Sequence, residues 1–256
     1  MSQQRIPISV EILADMETPL SVFKKLGNQP YSYLFESVEG GEKWARYSLI
    51  GLPASTVIKI FNNEIQIWED GRIIEELTSE DPLKFLEEYQ ENIKVKVNEE
   101  LPGFTGGLVG YLGYDCIRYI EPRLSQSNLP DPLGTPDALF MLSEEVAVFD
   151  NLNNKLHLIV LSKSESEADI STAKERLKEL SDKLLTPLTQ NNSEEIKSPV
   201  TEKDFVSGFG EKEFKESVEK IKEYIKAGDV MQVVCSQRMS DLLPQILLSY
   251  IAQYVT

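Results

Sequence analysis

Phe104-Thr-Gly-Gly-Leu-Val-Gly-Tyr-Leu-Gly-Tyr-Asp-Cys-Ile-Arg-Tyr-Ile-Glu121 sets Gly106, Gly107, Gly110 and Gly113 among Leu108, Val109, Tyr111, Leu112 and Tyr114. Glycine weakens a strand interior, so such a run marks a bend, a bulge or the close approach of another backbone. A phosphate-cradling loop would need Lys-Ser/Thr after the glycines, or G-x-G-x-x-G ahead of a helical pattern, and neither is present. The glycines are therefore read as structural. Tyr114, Asp115 and Arg118 then bring polar groups to the far end of the strand, where a sheet meets a rim or a second domain.

Upstream, Thr18-Pro19 reads as N-cap and first helical residue, with Leu20, Phe23 and Leu26 on one face and Gly27 closing the helix. Strands are expected over Tyr31–Val38 and Trp44–Ile50, on either side of the Gly40-Gly41 turn. Val57–Trp68 splits into two alternating runs around Asn62-Asn63, and Asp70-Gly71 gives a second hairpin signal. This part is sheet-rich and antiparallel. Asp81-Pro82 starts a helix that offers Leu83, Phe85, Leu86 and Tyr89 to a core.

Downstream, Leu124–Pro136 reads as a loop and Ala138–Phe149 as one long strand, turned by Asn151–Asn154 into Leu156–Leu161. Leu177, Leu180, Leu184 and Leu185 stripe the next helix. Thr186–Lys203 is polar, holds Pro187 and Pro199, and has no apolar period, so it reads as linker. Phe214, Val218, Ile221 and Ile225 then share a helical face, Gly228 caps the end, and Val230–Met239 reads as a buried strand. The division expected is a first domain over 1–190, a linker over 191–203, and the start of a second domain over 204–256.

A formal charge of −16 over 256 residues argues against nucleic acid or an anionic membrane as partner. The plainer meaning is a solvated acidic surface. Cys116 and Cys235 lie far apart inside apolar runs and read as reduced thiols, which suits a cytoplasmic protein. No apolar run follows basic residues at the start, and no stretch is long and apolar enough to span a bilayer. His157, alone of its kind, stands between Leu156 and Leu158 with no second His or Cys nearby, and reads as structural.

Leu101–Glu121 together with Pro136-Asp137-Ala138-Leu139-Phe140-Met141 resembles the anthranilate synthase component I family of chorismate-utilising enzymes. Two further blocks carry the likeness. Tyr33-Leu-Phe-Glu-Ser37 is similar to the family's Leu-Leu-Glu-Ser element, which binds the feedback inhibitor tryptophan, with Phe35 in place of the second leucine. Ser37 and Glu36 thus inherit tryptophan binding, a hydroxyl and a carboxylate offered to the charged backbone groups of an amino acid. Gly228-Asp-Val-Met-Gln-Val-Val-Cys-Ser-Gln-Arg238 is similar to the element that opens the chorismate-binding half. Relatives that add water to chorismate carry lysine at the place of Gln232, because water needs a base to become a nucleophile. Ammonia already has a usable lone pair, so Gln232 implies an amine-adding enzyme, with this residue on the nucleophile's side.

The resemblance runs from about Ser9 to Ser240 and implies an α+β fold of packed antiparallel sheets with flanking helices, incomplete at its C-terminus. It further implies chorismate as substrate, Mg²⁺ as cofactor, L-tryptophan as inhibitor, and a glutamine amidotransferase, component II, as partner. The family's Mg²⁺ carboxylates and its Asn-Pro-x-Pro-Tyr-Met wall of the tryptophan pocket are missing from this sequence, which points to an inactive fragment. Two alternatives stand beside it: aminodeoxychorismate synthase component I, which shares part of the glycine-rich block, and a stand-alone tryptophan-binding regulatory module. From Asp241 to Thr256 the likeness stops, and a frameshift near Ser240 is the expectation, against a divergent helix over Leu242–Tyr254.

Overall fold

Asn62, Asp70 and Asn154 all take positive φ (52°, 47° and 51°), and each turns a hairpin at a point where the sequence signals one. The structure, a computed structural model, describes residues 4–36, 46–121, 123–125, 131, 133–188 and 201–240. Backbone contacts divide the chain into two compact units, Met1–Leu188 and Thr189–Thr256.

In the first unit the chain runs β1 (Ile6–Leu13), α1 (Pro19–Val22) continued by a π-helical turn over Phe23–Gly27, β2 (Tyr33–Phe35) and β3 (Tyr47–Gly51). Next come β4 (Thr56–Phe61), β5 (Glu64–Glu69), β6 (Arg72–Thr78), α2 (Pro82–Asn92) and β7 (Gly107–Leu112). A 3₁₀ turn over Tyr114–Cys116 leads to α3 (Ile117–Ile120), β8 (Ala138–Ser143), β9 (Glu145–Asp150), β10 (Lys155–Ser162) and α4 (Glu167–Leu184). The strands form two antiparallel sheets, β1-β10-β9-β3-β2 and β6-β5-β4-β8-β7. This is an α+β fold.

The sheets face each other. Val146, Val148 and Ile159 of the first and Val57 and Met141 of the second both pack against Leu49 and Phe104. Outside, Leu86 of α2 packs on Ile58, Ile60 and Ile65. Ala173, Leu177, Leu180 and Leu184 of α4 are buried on the other flank, where the helix lies against β10 and β1. Each such buried Leu or Ile contributes about 1.5–3 kcal/mol, so helix–sheet–sheet–helix layering is what the apolar pattern favours. Leu185, expected on the same stripe, is instead the C-cap of α4 and 83% exposed; Ala173 completes the stripe.

Ala138–Phe149 is not one strand. It changes sheets at Glu144: β8 pairs with β4 and β7, and β9 with β3 and β10. Strands that cross from one sheet of a sandwich to the other bend at such a corner. Here the Glu144 carbonyl accepts from Leu161 N at 2.8 Å, and its carboxylate lies 3.2 Å from Arg5 Nε. β2 is also shorter than expected, and Val38 and Trp44 fall outside the described residues.

The glycine-rich strand β7 sits at a sheet edge. A Cβ on Gly110 would stand 1.9 Å from the carbonyl oxygen of Leu139, so the close backbone approach expected of this run occurs there. Beyond β7, Asp137 knots the chain. Its carboxylate accepts from Asn62 N at 2.7 Å and Tyr119 Oη at 2.8 Å, and its carbonyl accepts from Gly113 N at 2.7 Å and Cys116 Sγ at 3.1 Å. Burial first, and then the Asp137 carboxylate, push the Tyr119 phenol far above its ordinary range.

The second unit holds β11 (Val206–Ser207), α5 (Glu211–Ala227) and β12 (Met239–Ser240), with β11 and β12 paired antiparallel. Phe209 and Phe214 meet edge-to-face at 5.7 Å across the start of α5, a hydrophobic staple, and Gly228 ends the helix at φ 83°. Val230–Met239 is not a buried strand: only Met239 enters a ladder, and Met231 and Val234 are 98% and 82% exposed. A strand needs neighbours, and β11 offers two residues. The expectation for Asp241–Thr256 lies outside the described residues, as does the linker's stretch over 191–200. Among the described residues no helix is long and apolar enough to cross a membrane.

Candidate functional site

Among the described residues strand β2 is an edge of the first sheet, paired with β3 through Tyr33↔Gly51, Leu34↔Ile50 and Phe35↔Leu49. Side chains alternate along it, so Tyr33 and Phe35 share a face. Their rings lie 4.9 Å apart, tilted by 31°. Tyr33 points into the core, packs with Val57 and Met141, and makes a 2.9 Å hydrogen bond with Ser143 Oγ. Its ring occupies the space a side chain at Gly51 would need, since a Cβ there would stand 1.9 Å from Cε1 of Tyr33. Burial pushes the phenol up to about 12, against the hydrogen bond from Ser143, so it stays neutral at ordinary pH. The strand is thus anchored at Tyr33 and open at its far end, where Phe35 is 52% exposed and Glu36 is exposed.

Glu36 follows directly on the end of β2 at Phe35; Ser37 lies outside the described residues. Just before β3, Arg46 is locked in place. Arg46 Nη2 donates to Asp150 Oδ2 at 2.7 Å and Nε donates at 3.2 Å to both oxygens. Asp150 also accepts from Leu152 N at 3.1 Å, Asn153 N at 3.3 Å and Asn153 Nδ2 at 2.9 Å. Burial alone would raise the Asp150 carboxyl, but these donors, Arg46 foremost, hold it down at about 2. In sequence, β2 and the Arg46 lock flank the segment that contains Ser37. Sequence reasoning passed over the lock, although Arg46, Asp150 and Asn153 are all turn or strand-end residues able to form it.

In the second unit Gln232 is exposed on the extended stretch after Gly228. The same stretch is tied back farther on, with Gln237 Nε2 donating to Ser207 Oγ at 2.6 Å and Gly208 N to Arg238 O at 3.0 Å. Gln232 does not fill a core.

The described residues contain no group of three or more His, Cys, Asp or Glu side chains able to hold a metal ion. Among the described residues no set of carboxylates is assembled to hold Mg²⁺. His157 has a side chain 13% exposed with Nε2 4.0 Å from Glu11, and belongs to the β10–β1 pairing. Cys116 and Cys235 are free thiols.

The sequence profile described as chorismate binding enzyme matches residues 32–253, which takes in Glu36, the glycine-rich strand and Gln232. The chain belongs to the chorismate binding enzyme family. It is similar to anthranilate synthase component 1 of Pseudomonas putida, 49% identical over 237 residues that make up 92% of this chain and 48% of the relative. The namesake from Acetivibrio thermocellus is 37% identical over 241 residues, 91% of this chain and 48% of the relative. A crystal structure of anthranilate synthase component I from Streptococcus pneumoniae TIGR4 superposes with a TM-score of 0.64 at 27% identity, covering 95% of this chain and 52% of that one. This chorismate binding enzyme chain spans about half the length of the curated relatives it matches.

Proposed function

We propose that the chain carries the amino-terminal, tryptophan-responsive part of an anthranilate synthase component I. In the whole protein, chorismate and ammonia give anthranilate and pyruvate, the ammonia coming from glutamine through an amidotransferase subunit. The observation that supports this reading is the family match across residues 32–253, which includes both the Glu36-Ser37 end of β2 and Gln232. Glu36 offers a carboxylate to the ammonium of a tryptophan, and Ser37 a hydroxyl to its carboxylate. Gln232 is neutral, and its amide orients ammonia without having to remove a proton from it. By resemblance, the carboxylates for Mg²⁺ and the acid–base groups for pyruvate loss belong to the part of the relatives' length that this chain does not span.

The test is direct. The purified chain, given chorismate, ammonium and Mg²⁺, is expected to release no anthranilate, which is read by its fluorescence. Anthranilate from this chain alone would put the whole active site within it and overturn the division of labour. In a protein continued to the length of its relatives, Ser37→Ala is expected to relieve tryptophan inhibition with turnover unchanged. Unchanged inhibition would remove Ser37 from the site.

A further inference from the structure

Tyr31 has φ 60°, a left-handed conformation that a bulky aromatic residue rarely holds. Such a residue persists only where its surroundings over-determine it, and it stands two positions before β2. What holds it is on the facing sheet. Lys59 of β4 places Nζ 5.4 Å from the centroid of the Tyr31 ring and 4.0 Å from that of Trp68 on β5. Lys59 lies opposite Gln66, so Trp68 is its diagonal cross-strand neighbour on the same face. The platform is itself fixed: Trp68 Nε1 donates to Gln66 Oε1 at 3.2 Å, and Gln66 Nε2 to Glu76 Oε1 at 3.0 Å. On its other side the Tyr31 carbonyl accepts from Ala54 N at 3.0 Å.

We propose that Lys59 is a positioning residue for the ligand-facing end of β2. An ammonium over a ring face is attracted by the ring's quadrupole, and the attraction strengthens when both are partly desolvated, as Lys59 and Trp68 are. Tyr31 is thereby clipped to the second sheet while Tyr33, two residues on, is anchored beneath Ser143. Two successive anchors set the direction in which a three-residue edge strand delivers Phe35 and Glu36. Without the cation Tyr31 would relax out of the left-handed region, and the strand would keep Tyr33 but lose its approach angle. That β2 ends in a tryptophan site rests on the reading above; the clamp itself does not.

Hydrogen–deuterium exchange on the 256-residue chain tests it, with Lys59→Met keeping the apolar stem and Lys59→Arg keeping the cation. In Lys59→Met the segment Tyr31–Glu36 is expected to exchange about fivefold faster, while β4 and β5 stay as protected as before. Lys59→Arg is expected to restore most of that protection. Unchanged exchange at Tyr31–Glu36 would overturn the proposal. So would an equal rise across β4 and β5, which would make Lys59 an ordinary packing residue, or an arginine variant as open as the methionine one. The two readings fail separately: a Ser37→Ala protein still inhibited by tryptophan sinks the binding site, whereas normal exchange in Lys59→Met sinks the clamp.

Discussion

Asp150 is 2% exposed, and a carboxylate in that position is retained only because six hydrogen bonds reach it from Arg46, Leu152 and Asn153. Its folded carboxyl is held at about 2, below the ~3.9 of an unfolded chain. The sign follows. Stability from this group is fully present above about pH 4 and is lost as pH falls towards 2, because the unfolded chain then binds the proton first. The shift corresponds to on the order of 2 kcal/mol. Asp150→Asn is expected to lose about that much at pH 7, measured by urea unfolding. The gap to the wild type should close by about pH 2. A variant that remained equally destabilised at pH 7 and pH 2.5 would show that the Arg46 pair contributes nothing through charge. Gly51 makes the companion case for shape: its missing side chain is the space that Tyr33 fills.

At the scale of elements, turn chemistry and caps were legible in the sequence. Thr18, Asp81 and Gly228 cap where they were expected to, because capping uses a hydrogen bond or a backbone conformation local to the residue. The crossing at Glu144 was not legible. No Gly or Pro marks it, and apolar residues continue on both sides, so only the polar triplet Ser143-Glu144-Glu145 breaks the run. Val230–Met239 misled for the opposite reason: an apolar run reads as buried whatever partners are at hand. The glycines of β7 were read correctly as structural, and Gly110 gives the measurement. Gly110→Ala forces a methyl against the Leu139 carbonyl, a backbone atom that cannot rotate away. The expected cost is about 1–3 kcal/mol, with β7 amides losing protection ahead of β4 and β5. A neutral Gly110→Ala would mean that β7 can shift along the sheet edge without penalty.

For the molecule as a whole, the candidate site was legible only in part, because resemblance named Glu36, Ser37 and Gln232 while geometry supplied Arg46, Asp150 and Lys59. The stability of the chain should be divided just as unevenly. Met1–Leu188 closes both sheets on each other and covers each outer face with a helix, so its apolar residues have somewhere to go. In the second unit α5 has no buried residue, and its ion pairs, such as Lys222 with Glu219 and Lys226 with Glu223, are solvent-exposed. Exposed pairs of this kind contribute about 0.3–0.5 kcal/mol each, and an isolated helix of this length is marginal in water. The second unit should therefore open locally long before the first unfolds. Brief trypsin treatment is expected to degrade residues 201–240 first and leave a resistant core ending near Leu188. That core should unfold in urea at the midpoint of the intact chain, because the residues removed contributed little to it. A core that melted markedly earlier, or protection of Val230–Arg238 equal to that of β10, would show that the second unit is an integral part of the fold.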